Sequence, residues 1–461
     1  MTVAAVISAV AFLVISCGDF KKTNVVGPPS NGSVNFSVFV SLGNSLTAGY
    51  QSGALYESAQ KYSYPADIAR QAGVPDAQFQ QPLISEPGIG GRMKILNLAG
   101  PVIGSDPAAA GVPLNSTLAR PYNNLGVPGA VLYDLVDTSS FAAKASPPRS
   151  NPFFQVVLRS AALGNSPVAQ ALALHPTFVT VWIGNNDVLG YATTGGTVGT
   201  LGPGTGPTDP ATFQALYTNM MNALLAGADS AKFAIANIPD VTAIPFFTTV
   251  PDSFSDPLTG KKVGAFIVER HRADGTLYAG TVNAKTDYIL LTAIDSLDAG
   301  VGVPTIAGGT GRPLPDRFVL DSLEVAKTRA AIAAYNSTIA SIAAAHPTRI
   351  ALVDAYTVLN DFARYGYVGQ GVQLSNAYIT GGFFGLDGVH PTSQGYAYVA
   401  NQFINAINST FGANVPKVAI SSVPSSIVLG KVSLTKRGWP DVRYSGLAPT
   451  LNLILGENSS R

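Results

Sequence analysis

Asp387 and His390 are three residues apart, just before a segment with helical periodicity. An imidazole can act as a general base toward a serine hydroxyl when a carboxylate fixes its tautomer and orientation. This His–acid pair follows the last predicted strand, where a site at the edge of a sheet would need it. His175 and His346 precede prolines at predicted helix ends and are expected to act as caps, and His271 lies on a predicted surface hairpin. The Asp387–His390 pair is therefore the candidate base with its orienting group.

Ser45 is the candidate nucleophile. It follows the apolar run 38–42, which is typical of a buried strand, and a break at Gly43. Open α/β sheets bind their ligands at the carboxyl ends of the strands. Most serines in such a position only cap a helix or complete a turn, so the importance of Ser45 depends on the distant Asp–His pair. The Gly-x-Ser-x-Gly elbow of α/β-hydrolases does not occur around it.

Two further stretches offer hydrogen-bond donors. Residues 122–130 run into a glycine-rich turn, in which Gly129 could bring a backbone N–H close to a ligand. Residues 184–187, Gly-Asn-Asn-Asp, end the clearest buried strand, 177–183, and carboxamides there can donate to an oxyanion. The alternatives are a simple turn for the first stretch and an Asx turn or helix cap for the second, which is the commoner fate of Asn and Asp.

The elements around these residues alternate between strand and helix, which predicts a parallel sheet with helices on both faces. The predicted strands are 38–42, a short strand end within 122–130, 177–183, 232–239 and 349–354, and the predicted helices are 64–70, 151–174, 211–228, 322–345 and 392–408. Residues 73–120 are predicted to be a long loop. The 461 residues suffice for one large domain with insertions or for two domains. The net charge of +1 argues against a nucleic-acid partner, because phosphate binding needs a basic surface.

The amino-terminal segment reads as a targeting signal. Residues 3–16 are almost wholly apolar, but they are fewer than the roughly 20 needed to span a bilayer, which fits a signal peptide. They end at Cys17, the one cysteine, in a sequence that resembles a bacterial lipobox. Residues 1–17 are thus predicted to be a lipoprotein signal peptide with Cys17 acylated, and residues 18–34 a flexible tether. No Lys or Arg precedes the apolar run, and an uncleaved anchor or a buried helix is the alternative.

Four blocks in order resemble the SGNH or GDSL-type serine hydrolases. They are Gly43-Asn44-Ser45-Leu46, residues 124–129, residues 184–187 and Asp387-x-x-His390. The resemblance implies Ser45 as the nucleophile, His390 as the base and Asp387 as its orienter. It further implies that the Ser45 and Gly129 N–H groups and the Asn186 side chain hold the oxyanion. Asn44 stands where the family's name motif has an aspartate. The asparagine keeps the hydrogen-bonding capacity of that aspartate but lacks its charge.

The resemblance also implies a fold and a chemistry. The fold would be a flavodoxin-like three-layer α/β/α sandwich with a central parallel sheet and loop or hairpin insertions, over residues 35–415. The chemistry would be acyl transfer without a metal or cofactor, acting on an acyl ester. With the lipobox, this places the protein in the bacterial cell envelope, lipid-anchored, at the outer membrane or facing the periplasm. Residues 416–461 form a carboxyl-terminal extension with no assigned role.

Three functions remain open from the sequence. The first is a lipase or esterase that hydrolyses carboxylic esters. The second is an O-acetylesterase that acts on a polysaccharide. The third is of another class, a non-catalytic anchored binding lipoprotein. The presence of all four candidate site residues argues against it: Ser45, Asn186, Asp387 and His390.

Residues 241–318 are predicted to be an insertion. Two strand-like runs, 264–272 and 276–282, flank Asp274-Gly275, a strong hairpin turn signal. The segment carries Phe246, Phe247, Phe254, Phe266, Ile267 and Tyr278. One hypothesis is a lid that selects longer acyl chains, and the alternative is a peripheral hairpin that covers an apolar sheet edge.

Overall fold

Five parallel strands form the central sheet of the protein, for which a computed structural model describes residues 29–97, 102–106, 108–138, 151–255, 261–425 and 443–445. Numbered along the chain, they are β1 Phe39–Gly43, β2 Asn124–Gly126, β3 Phe178–Trp182, β4 Lys232–Ala236 and β5 Ile350–Val353. Their order across the sheet is β2-β1-β3-β4-β5. This is the flavodoxin-like order, in which the chain reverses its direction of travel between β1 and β3. Ligands of such sheets bind at that reversal, beyond the carboxyl ends of the strands.

Helices cover both faces of the sheet. Because side chains alternate along a strand, Val40 and Leu42 of β1 point into one apolar core and Phe39 points into the other. The first core is closed by the helices Pro210–Gly227 and Ser322–Ala345, and the second by Tyr64–Gln71 and Ser393–Phe411. The predicted three-layer α/β/α sandwich is therefore confirmed.

The remaining helices are shorter. They are Ser45–Ala48, Glu57–Gln60, Leu132–Val136, Phe153–Leu158, Pro167–Ala173, Asn186–Thr193, Pro245–Thr248, Ile294–Asp298 and Ala355–Tyr365. The single helix predicted for 151–174 is wrong, since a 3-10 turn, Ala161–Leu163, separates two helices there. Ser166 caps the second of them by accepting from the Ala169 N–H at 3.1 Å.

Short strands, most of them antiparallel, also pair within the loops. Those that begin in the predicted insertion are Ser253–Ser255 with Lys262–Ala265, Ile267–His271 with Leu277–Thr281, and Tyr288–Ile289 with Val319–Leu320, which lies just after it. The others are Met93–Asn97 with Val102–Ser105, which also pairs in parallel with Arg443–Ser445, then Val198–Gly199 with Gly202–Pro203, and Tyr367–Gly369 with Val372–Leu374. The hairpin predicted around Asp274-Gly275 is confirmed, whereas the predicted loop 73–120 contains the Met93–Asn97 strand pair.

The chain ends relate differently to this domain. Residues 416–425 pack on the last long helix, where the Val418 N–H donates to Asn401 Oδ1 at 2.7 Å. The predicted signal segment with Cys17, and the tether up to residue 28, lie outside the described residues. Within the described ranges, no helix is both long and apolar enough to cross a bilayer.

Candidate active site

Ser45 lies at the carboxyl edge of the sheet, directly after β1. It opens the four-residue helix Ser45–Ala48, and Asn44 caps this helix by accepting from the Leu46 N–H at 3.0 Å. Gly43 is required here, because a Cβ on it would lie 2.1 Å from Thr47 Oγ1 and 2.4 Å from the Trp182 carbonyl oxygen. The glycine thus lets the helix turn sit against the ends of β1 and β3.

The structure brings Ser45, His390 and Asp387 into one hydrogen-bonded chain. His390 Nε2 lies 2.8 Å from Ser45 Oγ, and His390 Nδ1 lies 3.1 Å from Asp387 Oδ2. The three residues are 3, 2 and 0 % exposed. With the proton of the neutral imidazole on Nδ1 facing the carboxylate, Nε2 is free to accept from the serine hydroxyl. This arrangement can activate a serine as a nucleophile.

Backbone donors keep Asp387 in its charged form. Its Oδ1 accepts from the N–H groups of Val389 and His390 at 2.9 and 2.8 Å, and its Oδ2 accepts from the Gly53 N–H at 2.9 Å. Burial raises the pKa of Asp387, but His390 and these hydrogen bonds outweigh it and hold the pKa below its usual value. Asp387 is therefore a carboxylate at neutral pH.

The segment that follows the nucleophile positions the other two residues. The Tyr50 ring packs against the His390 imidazole with centroids 4.9 Å apart, and its hydroxyl donates to the Gly53 carbonyl. The Ser52 hydroxyl accepts from the Leu386 N–H at 3.1 Å. Sequence reasoning missed Tyr50, Ser52 and Gly53, for which the available signal was their closeness to Ser45 along the chain.

Replacing Tyr50 by leucine is expected to lower kcat roughly ten- to a hundredfold with a smaller change in KM, because His390 loses the ring that orients it. Tyr50→Phe is the matched control, since it keeps the ring and removes the hydroxyl, and should stay within severalfold of the wild type. Steady-state kinetics with a chromogenic ester measure both. Equal losses in the two variants would assign the effect to the hydroxyl instead of the ring.

The predicted oxyanion donors lie in three different blocks of the chain. The Asn186 Nδ2 donates to the Ala130 carbonyl at 2.9 Å, which fixes its carboxamide beside Gly129 and leaves its second N–H hydrogen for a ligand. Gly129 has φ +77°, in the left-handed region that favours glycine. Within the described residues, the backbone N–H groups of Ser45 and Gly129 have no hydrogen-bond acceptor. Asn186 lines the cavity beside Ser45, whereas Gly129 is not part of its lining.

Neighbouring polar residues hold these blocks together. Asn124 Nδ2 donates to the Thr47 carbonyl at 2.8 Å and its Oδ1 accepts from the Gly126 N–H, which ties β2 to the nucleophile helix. Asp187 Oδ2 accepts from the Leu132 N–H at 2.8 Å. Asn124 and Asp187 are therefore structural members of their blocks.

An apolar cavity adjoins Ser45 and His390. It encloses about 60 Å³, and Asn44, Asn185 and Asn186 supply polar groups to its lining. Its apolar wall comes mainly from Leu46, Trp182, Leu359, Phe362, Ala363, Phe383, Phe384 and Val389. The cavity therefore offers an apolar surface next to the serine hydroxyl.

The insertion touches this cavity at a different place from the one expected. Val241, Ala243 and Ile244 line it, whereas no residue of the hairpin segment 264–282 does. Phe246, Phe247, Phe254 and Phe266 are buried in the first apolar core. A lid role for 264–282 thus stays a prediction, and the start of the insertion is the part that faces the candidate site.

The other histidines lie away from the cavity. His346 caps the helix Ser322–Ala345, as expected, and His175 follows the helix Pro167–Ala173 with φ +51°. His271 is half-buried, with 24 % of its side chain exposed, and its Nδ1 lies 3.1 Å from Asp321 Oδ2.

Comparison with known proteins gives one match. A family model described as GDSL-like Lipase/Acylhydrolase matches residues 39–403, from β1 into the last long helix. No curated protein and no solved structure matches the chain.

Proposed function

Because the chain belongs to the GDSL-like lipase and acylhydrolase family, whose members hydrolyse esters, we propose that it cleaves carboxylic esters through an acyl-enzyme on Ser45. One observation carries the proposal. His390 Nε2 lies 2.8 Å from Ser45 Oγ while Asp387 holds the opposite ring nitrogen, at the sheet edge where a flavodoxin-like fold binds ligands.

In the acylation step, Ser45 Oγ attacks the ester carbonyl carbon and transfers its proton to His390 Nε2. Asp387 stays ionised and stabilises the imidazolium that forms. The oxyanion accepts hydrogen bonds from the Ser45 and Gly129 N–H groups and from Asn186 Nδ2. The intermediate collapses when the alkoxide leaves with the proton from His390, which yields the acyl-enzyme and the free alcohol.

In the deacylation step, a water molecule takes the place of the alcohol. His390 accepts a proton from the water as its oxygen attacks the acyl carbon, and the same three donors hold the second oxyanion. The proton then returns to Ser45 Oγ as the carboxylic acid is released. Deacylation is therefore the reverse of acylation, with water in place of the alcohol.

The cavity favours an apolar acyl chain over the alternatives. The cavity beside Ser45 has mainly apolar walls, which suit an apolar chain better than a hydroxyl-rich polysaccharide. A non-catalytic binding protein has no need for a serine hydroxyl directed at a buried imidazole. We therefore assign the site to esters with an apolar acyl chain.

A fluorophosphonate probe tests the mechanism. It should label the wild-type protein once, on the peptide that contains Ser45, and a prior incubation with an ester substrate should slow labelling. A panel of esters of increasing acyl length then separates the lipase or esterase function from acetyl removal. Labelling at another serine, or none with a folded protein, would contradict the proposal.

Filling the cavity should change the acyl preference. Ala363 lies on the cavity wall, on the helix Ala355–Tyr365, and Ala363→Trp would occupy space for about two methylene groups. Since each buried methylene contributes about 0.8 kcal/mol, the ratio of kcat/KM for octanoyl over acetyl ester should fall by about tenfold. Ala330→Trp, at an exposed position on the helix Ser322–Ala345, is the matched control. An unchanged ratio would place the acyl chain elsewhere.

The cell-envelope location rests on the amino-terminal sequence. We propose that Cys17 is acylated and becomes the mature amino terminus of a bacterial lipoprotein, because a lone cysteine ends the apolar run 3–16. The full chain should partition into detergent, and Cys17→Ser should move it to the aqueous phase without loss of ester hydrolysis. A mature protein that begins at another residue would contradict this assignment.

A further inference from the structure

A second cluster of titratable side chains lies outside the cavity. His271 ends the strand Ile267–His271, Asp316 lies in a 3-10 turn, and Asp321 and Glu324 lie at the start of the helix Ser322–Ala345. From His271 Nδ1 the distances are 3.1 Å to Asp321 Oδ2, 3.6 Å to Asp316 Oδ1 and 3.6 Å to Glu324 Oε1. None of the four residues lines the cavity at Ser45.

One oxygen of this cluster is buried and lacks a donor. Asp316 Oδ1 has no hydrogen-bond partner among the described residues. The Glu324 side chain is 6 % exposed, its Oε2 accepts from the Asp321 N–H at 2.8 Å, and its Oε1 lies 3.6 Å from His271 Nδ1. A buried unsatisfied acceptor costs about 1–3 kcal/mol, and more when charged. Asp316 Oδ1 and Glu324 Oε1 lie at the same distance from this imidazole nitrogen, so one cation could bind both.

The distances suit a small divalent ion. Ligand atoms about 2.1 Å from a metal are about 3.0 Å apart in octahedral and about 3.4 Å apart in tetrahedral geometry. The ligand atoms of His271, Asp321 and Glu324 lie within 4.8 Å of one another, so a modest contraction would close the site. Imidazole nitrogen combined with carboxylate oxygen suits zinc or manganese better than calcium or magnesium, which prefer oxygen ligands alone.

A glycine turn leaves room for this cluster. A Cβ on Gly196, which has φ +71°, would lie 1.9 Å from Glu324 Oε1, and a Cβ on Gly195 would lie 2.3 Å from the Asp316 carbonyl oxygen. The turn follows the helix Asn186–Thr193. The cluster therefore joins three parts of the fold: this turn, the insertion hairpin and the long helix.

We propose that His271, Asp321 and Glu324, with Asp316 beside them, bind one Zn²⁺ or Mn²⁺ ion that links the hairpin to the helix Ser322–Ala345. The site is structural, and ester hydrolysis proceeds without the ion. The ion binds the carboxyl groups in their deprotonated form, so its binding releases any proton that they carry.

Calorimetric titration tests the site on the full chain after EDTA treatment and dialysis. Zn²⁺ or Mn²⁺, each added alone, should bind with a stoichiometry near one and raise the Tm by a few degrees, and Ca²⁺ should bind far more weakly. His271→Ala and Glu324→Gln should weaken binding by more than the roughly 10–100-fold typical of outer-shell changes. His346→Ala is the matched control and should bind like the wild type.

Ester hydrolysis by the metal-free protein separates this site from the proposed function. Activity should persist in the EDTA-treated chain and in the His271→Ala and Glu324→Gln variants, which also shows that they fold. If a variant fails to fold, Asp316→Asn, outside the helix cap, provides the comparison. No binding of either ion by the active wild-type chain, or undiminished binding by folded His271→Ala and Glu324→Gln, would overturn the site.

Discussion

Ser45→Ala is expected to abolish ester hydrolysis while the fold is retained. The Ser45 oxygen is the atom that forms the acyl-enzyme, and without it His390 and Asp387 have no nucleophile to activate. Loss of a triad nucleophile typically costs roughly ten-thousandfold or more in kcat. The Ser45 side chain is small and replaced by a methyl group, so the far-UV circular dichroism and the Tm should change little.

The experiment compares kcat/KM on one chromogenic ester for Ser45→Ala, the wild type and Ser341→Ala, an exposed serine on the helix Ser322–Ala345. The double variant Ser45→Ala/His390→Ala should be no less active than Ser45→Ala alone, because the two residues act as a unit. Near-normal turnover by a folded Ser45→Ala protein would disprove the serine mechanism.

Asn186→Ala is expected to lower kcat roughly a hundred- to a thousandfold, which is the usual effect of deleting one oxyanion donor. The hydrogen bond from its Nδ2 to the Ala130 carbonyl fixes the amide before substrate binds. Because the donor acts on charge that develops in the transition state, KM should change much less than kcat.

Asn185→Ala supplies the matched control for Asn186. Asn185 precedes Asn186, lines the same cavity and carries a buried Oδ1 without a donor among the described residues. Its loss removes an unsatisfied acceptor and should leave kcat within about tenfold of the wild type. A rise in KM alone for Asn186→Ala would show that this residue positions substrate, and a larger kcat loss in Asn185→Ala would exchange the two roles.

The sequence revealed the parts of the site whose signals are local. Asp387 and His390 share one loop, and Ser45 follows an apolar run that forms β1, so pattern and spacing sufficed to nominate them. Strand positions were also predictable, because buried parallel strands are short apolar runs. The break between the helices at 161–163 had a local signal too, since Ser166-Pro167 is a typical helix start.

The rest depended on long-range packing. Gly53 donates to Asp387, which is 334 residues away, and no sequence pattern links them. His271 was expected at the surface because its hairpin looks polar, yet its partner Asp321 comes fifty residues later. Whether a phenylalanine such as Phe266 faces a ligand or the core is likewise decided by the elements that pack on it, so composition alone could not locate a lid.

The first described residues of the chain lie on the side of the domain opposite the cavity. Ser30 and Asn414 exchange backbone hydrogen bonds, and the Ser33 N–H donates to the Phe411 carbonyl, at the end of the 19-residue helix Ser393–Phe411. That helix starts next to His390 and is about 28 Å long, so the chain enters the domain at the edge of the sheet opposite Ser45.

A lipid on Cys17 would therefore attach to the domain on the side opposite Ser45. The thirteen peptide links between residues 17 and 30 would span at most about 45 Å when fully extended. A domain tethered on this side would leave the mouth of its cavity open to esters that arrive from the aqueous compartment or from an apposed surface.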